Sequence, residues 1–145
     1  MTVRRLGPED AGLACQAIVA IKQPFAPSPP TPSDMERFLS RPENVLIAAS
    51  EEGKPTGFLL AYILDRVDQD RPMVCLYEIE VAEPYRRQGS GRAMVEKLLG
   101  IARDIGAVKT WVIASRSDTG AMAFYRRTGA VADPEGDDVI MVYRR

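Results

Sequence analysis

Residues 86–92, RRQGSGR, concentrate positive charge and glycine between two regular segments. The strand-like run MVCLYEIEV (73–81) precedes them and an apolar helical run follows. In the spacing Arg86-x-x-Gly89-x-Gly91, the glycines admit positive φ and let a ligand approach the backbone closely. Successive N–H groups at a helix start, with the positive end of the helix dipole, attract an anion. Arg86, Arg87 and Arg92 add charge around it. A phosphate would suit such a loop, and two familiar phosphate patterns fail here. A Walker loop needs Gly-Lys followed by Ser or Thr, but Gly91 is followed by Arg92 and Ala93. A dinucleotide fingerprint needs a third glycine where Met94 stands. An anion cradle remains, beside the plain alternative of a glycine turn with solvated arginines.

Just upstream, Glu78 and Glu80 stand two apart in the strand-like run, so both project from one face, with Ile79 and Val81 on the other. Unpaired carboxylates are costly to bury on such a strand. The chain contains no histidine. A base near neutral pH is therefore a carboxylate, a tyrosine, a perturbed lysine or cysteine, or a water held by one of these. Glu78 is the preferred base, acting through water, and Glu80 is suited to holding a cationic group. The alternative is a pair of salt bridges to arginines, or an exposed sheet face. Cys75 lacks a histidine to activate it and reads as a core thiol. Two cysteines without a CxxC pair, and no histidine, give no expected metal site.

These groups need elements to hold them. TVRRL (2–6) reads as a first strand, and Pro8 opens a helix carried by Ala11, Ala14, Cys15, Ile18, Val19 and Lys22. The proline-rich QPFAPSPPTP (23–32) reads equally as a substrate-facing rim or a connector. Ser33-Asp34-Met35-Glu36 suggests the capped start of a short helix ending near Ser40. VLIAAS (45–50), a turn at Glu52-Gly53-Lys54, and GFLLAYILDRV (57–67) read as a hairpin. The run 73–81 is the next strand. A helix over 91–105 stops at Gly106, TWVIAS (110–115) is a strand, and a helix over 118–128 stops at Gly129. VIMVYR (139–144) reads as a last strand. The order is β-α-α-β-β-β-α-β-α-β: a mixed α/β domain, taken as one domain over 1–145.

Composition narrows the class. With 145 residues, 46% hydrophobic and 27% charged, the chain suits one globular core. Its net charge of -1 gives no global signal for nucleic acid. No apolar run approaches the roughly 20 residues of a membrane helix. MTVRRLGPEDAG lacks the apolar stretch of a signal peptide, so a cytoplasmic protein with no membrane partner is expected.

The cradle after Val81-Ala82-Glu83-Pro84-Tyr85, and the downstream pattern Asp118-x-x-Ala121-x-x-Phe124-Tyr125-x-x-x-Gly129, resemble the GCN5-related N-acetyltransferases (GNATs). In that family R/Q-x-x-G-x-G/A binds the pyrophosphate of acetyl-CoA. The resemblance implies that Arg86, Arg87, Gln88, Gly89, Ser90, Gly91 and Arg92 hold it. It also implies that the pantetheine arm adds to the strand at Ile79 and Val81, beside a bulge whose backbone N–H polarises the thioester. Tyr125 matches the family tyrosine that protonates the leaving thiolate; the alternative is a core aromatic beside Phe124. Asp118 stands where the family commonly has asparagine. A homodimer is a further family expectation.

Within GNATs, Ala61-Tyr62-Ile63-Leu64 and Tyr77-Glu78-Ile79-Glu80-Val81 are similar to the small aminoglycoside 3-N-acetyltransferases of the gentamicin and fortimicin group. That implies a polycationic amine substrate and antibiotic resistance. Glu80, Asp118, Glu135, Asp137 and Asp138 would supply an acidic rim; DPEGDD (133–138) reads equally as a solvated turn. Two alternatives stand beside it. One is a GNAT acting on a polyamine, an amino acid or a protein N-terminus. The other is a non-catalytic acyl-CoA-binding sensor.

Overall fold

The computed structural model describes residues 1–22, 28–133 and 141–144. It forms two compact units, Met1–Ile113 and Ala114–Arg145.

In the first unit, β1 (Thr2–Arg5) leads through a 3₁₀ turn (Pro8–Asp10) into α1 (Ala11–Ile21). Next come α2 (Pro32–Leu39), β2 (Asn44–Glu51), β3 (Lys54–Leu64) and β4 (Met73–Val81). A 3₁₀ turn (Glu83–Tyr85) precedes α3 (Ser90–Asp104), and β5 (Lys109–Val112) closes the unit. The sheet order is β1-β2-β3-β4-β5. The first four strands pair antiparallel, while β4 and β5 are parallel, with α3 in the connection between them.

Local chemistry explains these elements. β2 and β3 join through Glu52 (φ 49°) and Gly53 (φ 79°). Positive φ at both central residues is the hairpin turn whose twist matches its strands. Apolar residues on both sides of β2 and β3 give the sheet two buried faces. Leu46, Ala48 and Phe58 pack on one face with Ala14 of α1 and Met35 and Leu39 of α2. On the other, Gly57 approaches Met94 of α3 closely. Met94, Val95, Leu98 and Ala102 form the buried stripe of α3. Burying a large side chain such as Phe58 or Leu98 contributes about 1.5–3 kcal/mol. Gly106 (φ 69°) ends α3: its N–H donates to Arg103 O at 3.0 Å, and Ala107 N donates to Ala102 O at 2.9 Å.

Several boundaries differ from expectation. Helix α2 is capped by Thr31 rather than by Ser33. Thr31 accepts from Asp34 N, and Asp34 Oδ2 accepts from Thr31 N at 2.9 Å, so the capping box lies two residues earlier. That backbone hydrogen bond also leads in holding the Asp34 carboxyl below its usual range. Strand β3 ends at Leu64 rather than residue 67, and β5 ends at Val112 rather than residue 115.

The second unit contains α4 (Thr119–Arg127). Gly129 (φ 100°) stops it, with Gly129 N donating to Arg126 O and Ala130 N to Tyr125 O. Of the expected strand 139–144, residues 141–144 are described and form no strand. No described helix is long and apolar enough to cross a membrane.

Candidate active site

A break in β4 organises the site. The β3–β4 ladder pairs Leu60 with Glu78 and Ala61 with Leu76, so Tyr77 has no residue opposite. In an unbroken strand Glu78 would share the face of Leu76 and Val74. The extra residue transfers Glu78 and Glu80 to the opposite face. There they stand across from Leu60 and Phe58, on the side of the sheet covered by α1 and α2. The two glutamates do share a face, but the bulge chooses which. The β4–β5 ladder has its last pair at Leu76 and Val112. From Tyr77 to Val81, including Ile79, the backbone on that side of β4 is outside any ladder. An extended ligand can therefore hydrogen-bond to it as an added strand.

Glu78 is ion-paired. Lys22, at the C-terminal cap of α1, places Nζ 2.7 Å from Glu78 Oε2. Of the alternative pair of salt bridges to arginines, the described residues show one ion pair, at Glu78, and its cation is a lysine. Glu78 is 20% exposed and Lys22 43%, so water reaches both side chains. Beside this pair, Tyr62 meets Tyr77 edge-to-face at 5.5 Å and Phe38 at 6.2 Å. Burial pushes the Tyr62 phenol above its usual range. Tyr77, Cys75 and Glu78 add to the rise and Lys22 opposes it. Burial likewise pushes the Cys75 thiol up, in keeping with a core thiol. Lys22 and Tyr62 were not picked out as site residues from the sequence. Lys22 lies 56 positions from its partner, and no local pattern marks it.

The loop after β4 forms the second part of the site. Arg86 Nε donates to Val81 O at 2.9 Å, tying the loop to the strand end, and Gln88 Nε2 donates to Pro84 O at 3.0 Å. Arg87 takes φ 60° and Gly89 φ 89°. Gly89 caps α3 without a side-chain hydrogen bond, and no atom lies within 4 Å of where its Cβ would be. Ala93 N bonds to Gly89 O at 2.9 Å. The earlier N–H groups at this helix start have no partner within the helix and suit an anion. Gly91 lies in the first turn of α3, outside the residues of positive φ, so the unusual backbone belongs to Arg87 and Gly89. Arg92 Nε pairs with Glu96 Oε1 at 3.0 Å along the helix surface. Ser90 is buried at 5% exposure.

In the second unit, Asp118 Oδ1 accepts from Ala121 N at 2.9 Å and caps α4. This capping role accounts for a carboxylate at Asp118 without a substrate. Tyr125 lies in α4 with its ring 5.4 Å from that of Phe124. Glu135, Asp137 and Asp138 lie outside the described residues.

Comparison with known proteins places this geometry. Residues 15–130 match the acetyltransferase (GNAT) family. An uncharacterised N-acetyltransferase of Mycobacterium tuberculosis is 26% identical over 119 residues, 81% of this chain and 73% of the relative. An aminoglycoside acetyltransferase from an uncultured soil metagenomic sample, HMB0005, is 26% identical in sequence. It superposes with a TM-score of 0.81 over 97% of this chain and 98% of its own. A second such enzyme, meta-AAC0020, reaches a TM-score of 0.85 at 24% identity, covering 99% of this chain and 95% of its own. It has also been crystallised with sisomicin. The unladdered edge of β4 and the uncapped start of α3 fit the pantetheine arm and the pyrophosphate of one acyl donor. The family match, running through both features, makes this chain a member of the GNAT family and an acetyl-CoA-dependent N-acetyltransferase.

Proposed function

We propose that the acceptor is an amine of an aminoglycoside, acetylated by direct transfer, and that the chain thereby confers resistance. The observation that carries this reading is the pair Glu78 and Glu80 on one face of β4, turned by the bulge at Tyr77 toward the α1–α2 side where β4 parts from β5. A pair of carboxylates suits a substrate bearing several ammonium groups. The likeness to HMB0005 and meta-AAC0020 supports the same class.

Each residue has a role in this proposal. Glu78 takes the proton from the acceptor ammonium, through water, because only the neutral amine attacks a thioester. Glu80 holds a second ammonium. A backbone N–H of the Tyr77–Val81 segment polarises the carbonyl. Tyr125, carried over from the family pattern, returns a proton to the thiolate. The loop 86–92 holds the pyrophosphate. Glu135, Asp137 and Asp138 are assigned to the substrate rim and Asp118 to capping. Residues 1–145 are read as one N-acetyltransferase domain, because the family match crosses the boundary between the units.

The test is thiol release from acetyl-CoA with sisomicin, spermidine, free amino acids and a short peptide as acceptors. Sisomicin is expected to turn over fastest. A faster reaction with any other amine moves the assignment to that class. Glu78→Gln should lower turnover about 10²–10⁴-fold with acetyl-CoA affinity nearly unchanged. Survival within a few-fold removes Glu78 as base. Tyr125→Phe should slow thiol release; an unchanged rate across the pH range removes its acid role.

A further inference from the structure

Lys22 Nζ lies 2.7 Å from Glu78 Oε2, beside the break in β4. An acceptor amine has to approach the same carboxylate. We infer that Lys22 is itself an acetylation site: without an added amine, the chain moves an acetyl group from acetyl-CoA to its own Lys22 Nζ. This rests on the assignment of Glu78 as base.

The chemistry is that of the enzyme, with an internal acceptor. The Lys22 ammonium carries three protons. One passes to Glu78 and on to water, leaving a neutral amine. An Nζ–C bond then forms to the acetyl carbonyl as the C–S bond breaks. A second proton ends on the CoA sulfur and the third stays on the amide nitrogen. No oxidant or further reactant is needed. Acceptor and base share one chain and are already in contact, so the encounter carries little translational entropy cost. With Lys22 and Glu78 both part-exposed, water can remove the released proton.

The other lysines are internal controls. The chain has four: Lys22, Lys54, Lys97 and Lys109. Lys54 begins β3 at the hairpin and Lys97 lies on α3; both are more exposed than Lys22. A small acylating reagent that needs no site should label Lys54 and Lys97 ahead of the ion-paired Lys22. Acetyl-CoA should reverse that order.

The experiment incubates the whole chain with acetyl-CoA and no amine, and maps acetylation on all four lysines by peptide mass spectrometry. A parallel sample receives the N-hydroxysuccinimide ester of acetic acid. With acetyl-CoA, Lys22 is expected to exceed Lys54 and Lys97 about tenfold. Glu78→Gln should bring Lys22 down to the level of Lys54 with acetyl-CoA, yet raise its labelling by the ester. Lys22→Arg, which keeps a cation beside Glu78, should abolish the stoichiometric burst of CoA seen without amine. Equal acetylation of the lysines by acetyl-CoA, or the same order with both reagents, overturns the inference. Turnover of sisomicin with Lys22 unmodified overturns it too, and leaves the proposed function standing. Lys22 acetylation in a chain that accepts no added amine upholds it and defeats the aminoglycoside assignment.

Discussion

Helix α3 begins at Gly89, which offers no side-chain cap, whereas α4 begins at Asp118, whose Oδ1 accepts from Ala121 N at 2.9 Å. Every α-helix start exposes N–H groups that need acceptors. In α4 the chain supplies one from its own side chain, and the start is electrostatically closed. In α3 it supplies none, and a backbone of positive φ at Arg87 and Gly89 leads into the helix. Both helices end alike, on a left-handed glycine with the same pair of backbone hydrogen bonds. The contrast is therefore confined to the helix starts. The proposed pyrophosphate site at α3 is marked less by the charge around it than by the absence of a side-chain acceptor at Gly89.

The contrast can be broken by giving α3 the cap that α4 has. Gly89→Asp would place a carboxylate on the open N–H groups and repel the pyrophosphate. Acetyl-CoA affinity should fall about a hundredfold, as at least one charge-assisted contact is lost and a like charge added. Calorimetry checks this, and near-normal affinity would sink the cradle assignment. Gly89→Ala separates strain from charge, with backbone strain of about 1–2 kcal/mol at φ 89° but a smaller affinity loss. The reciprocal change, Asp118→Ala, should cost about 1 kcal/mol, seen as a lower midpoint on thermal unfolding. Acetyl-CoA affinity should hold. Asp118→Asn should have almost no effect on stability, because asparagine caps as well as aspartate. Gly91→Ala gives a small change of opposite sign: a stabilisation of about 0.5–1 kcal/mol from helix propensity. A fall in acetyl-CoA affinity with that gain would show that Gly91 serves close approach; constant affinity would confine the role to Gly89.

Much of this was legible from the chain alone because it rests on local rules. The strand-like run MVCLYEIEV has the bounds of β4, Met73 and Val81, and Gly106 and Gly129 marked the two helix stops. What was not legible depends on partners. The bulge at Tyr77 exists only relative to β3, so nothing in residues 73–81 announces it. The face of the sheet that Glu78 and Glu80 occupy follows from that register, not from their spacing. Lys22 reaches Glu78 only because α1 lies over the same face. The positive φ at Arg87 was not legible either, because a glycine permits that backbone without requiring it and an arginine does not announce it. The start of α2 was misplaced because Ser33 and Thr31 both have hydroxyls that can cap a helix, and only geometry shows that Thr31 accepts from the N–H three residues on, Asp34 N.

Gly57 carries a further consequence. A Cβ there would lie 3.0 Å from Glu80 O, 3.0 Å from Met94 Cε and 3.3 Å from Val81 Cγ2. The Met94 side chain can swing aside, but the Glu80 carbonyl belongs to the strand. A single methyl at position 57 would thus act as a shim, shifting the acidic strand by a fraction of an ångström against α3. In the proposed amine site, such a shift would move Glu78 and Glu80 while every residue of the site keeps its identity.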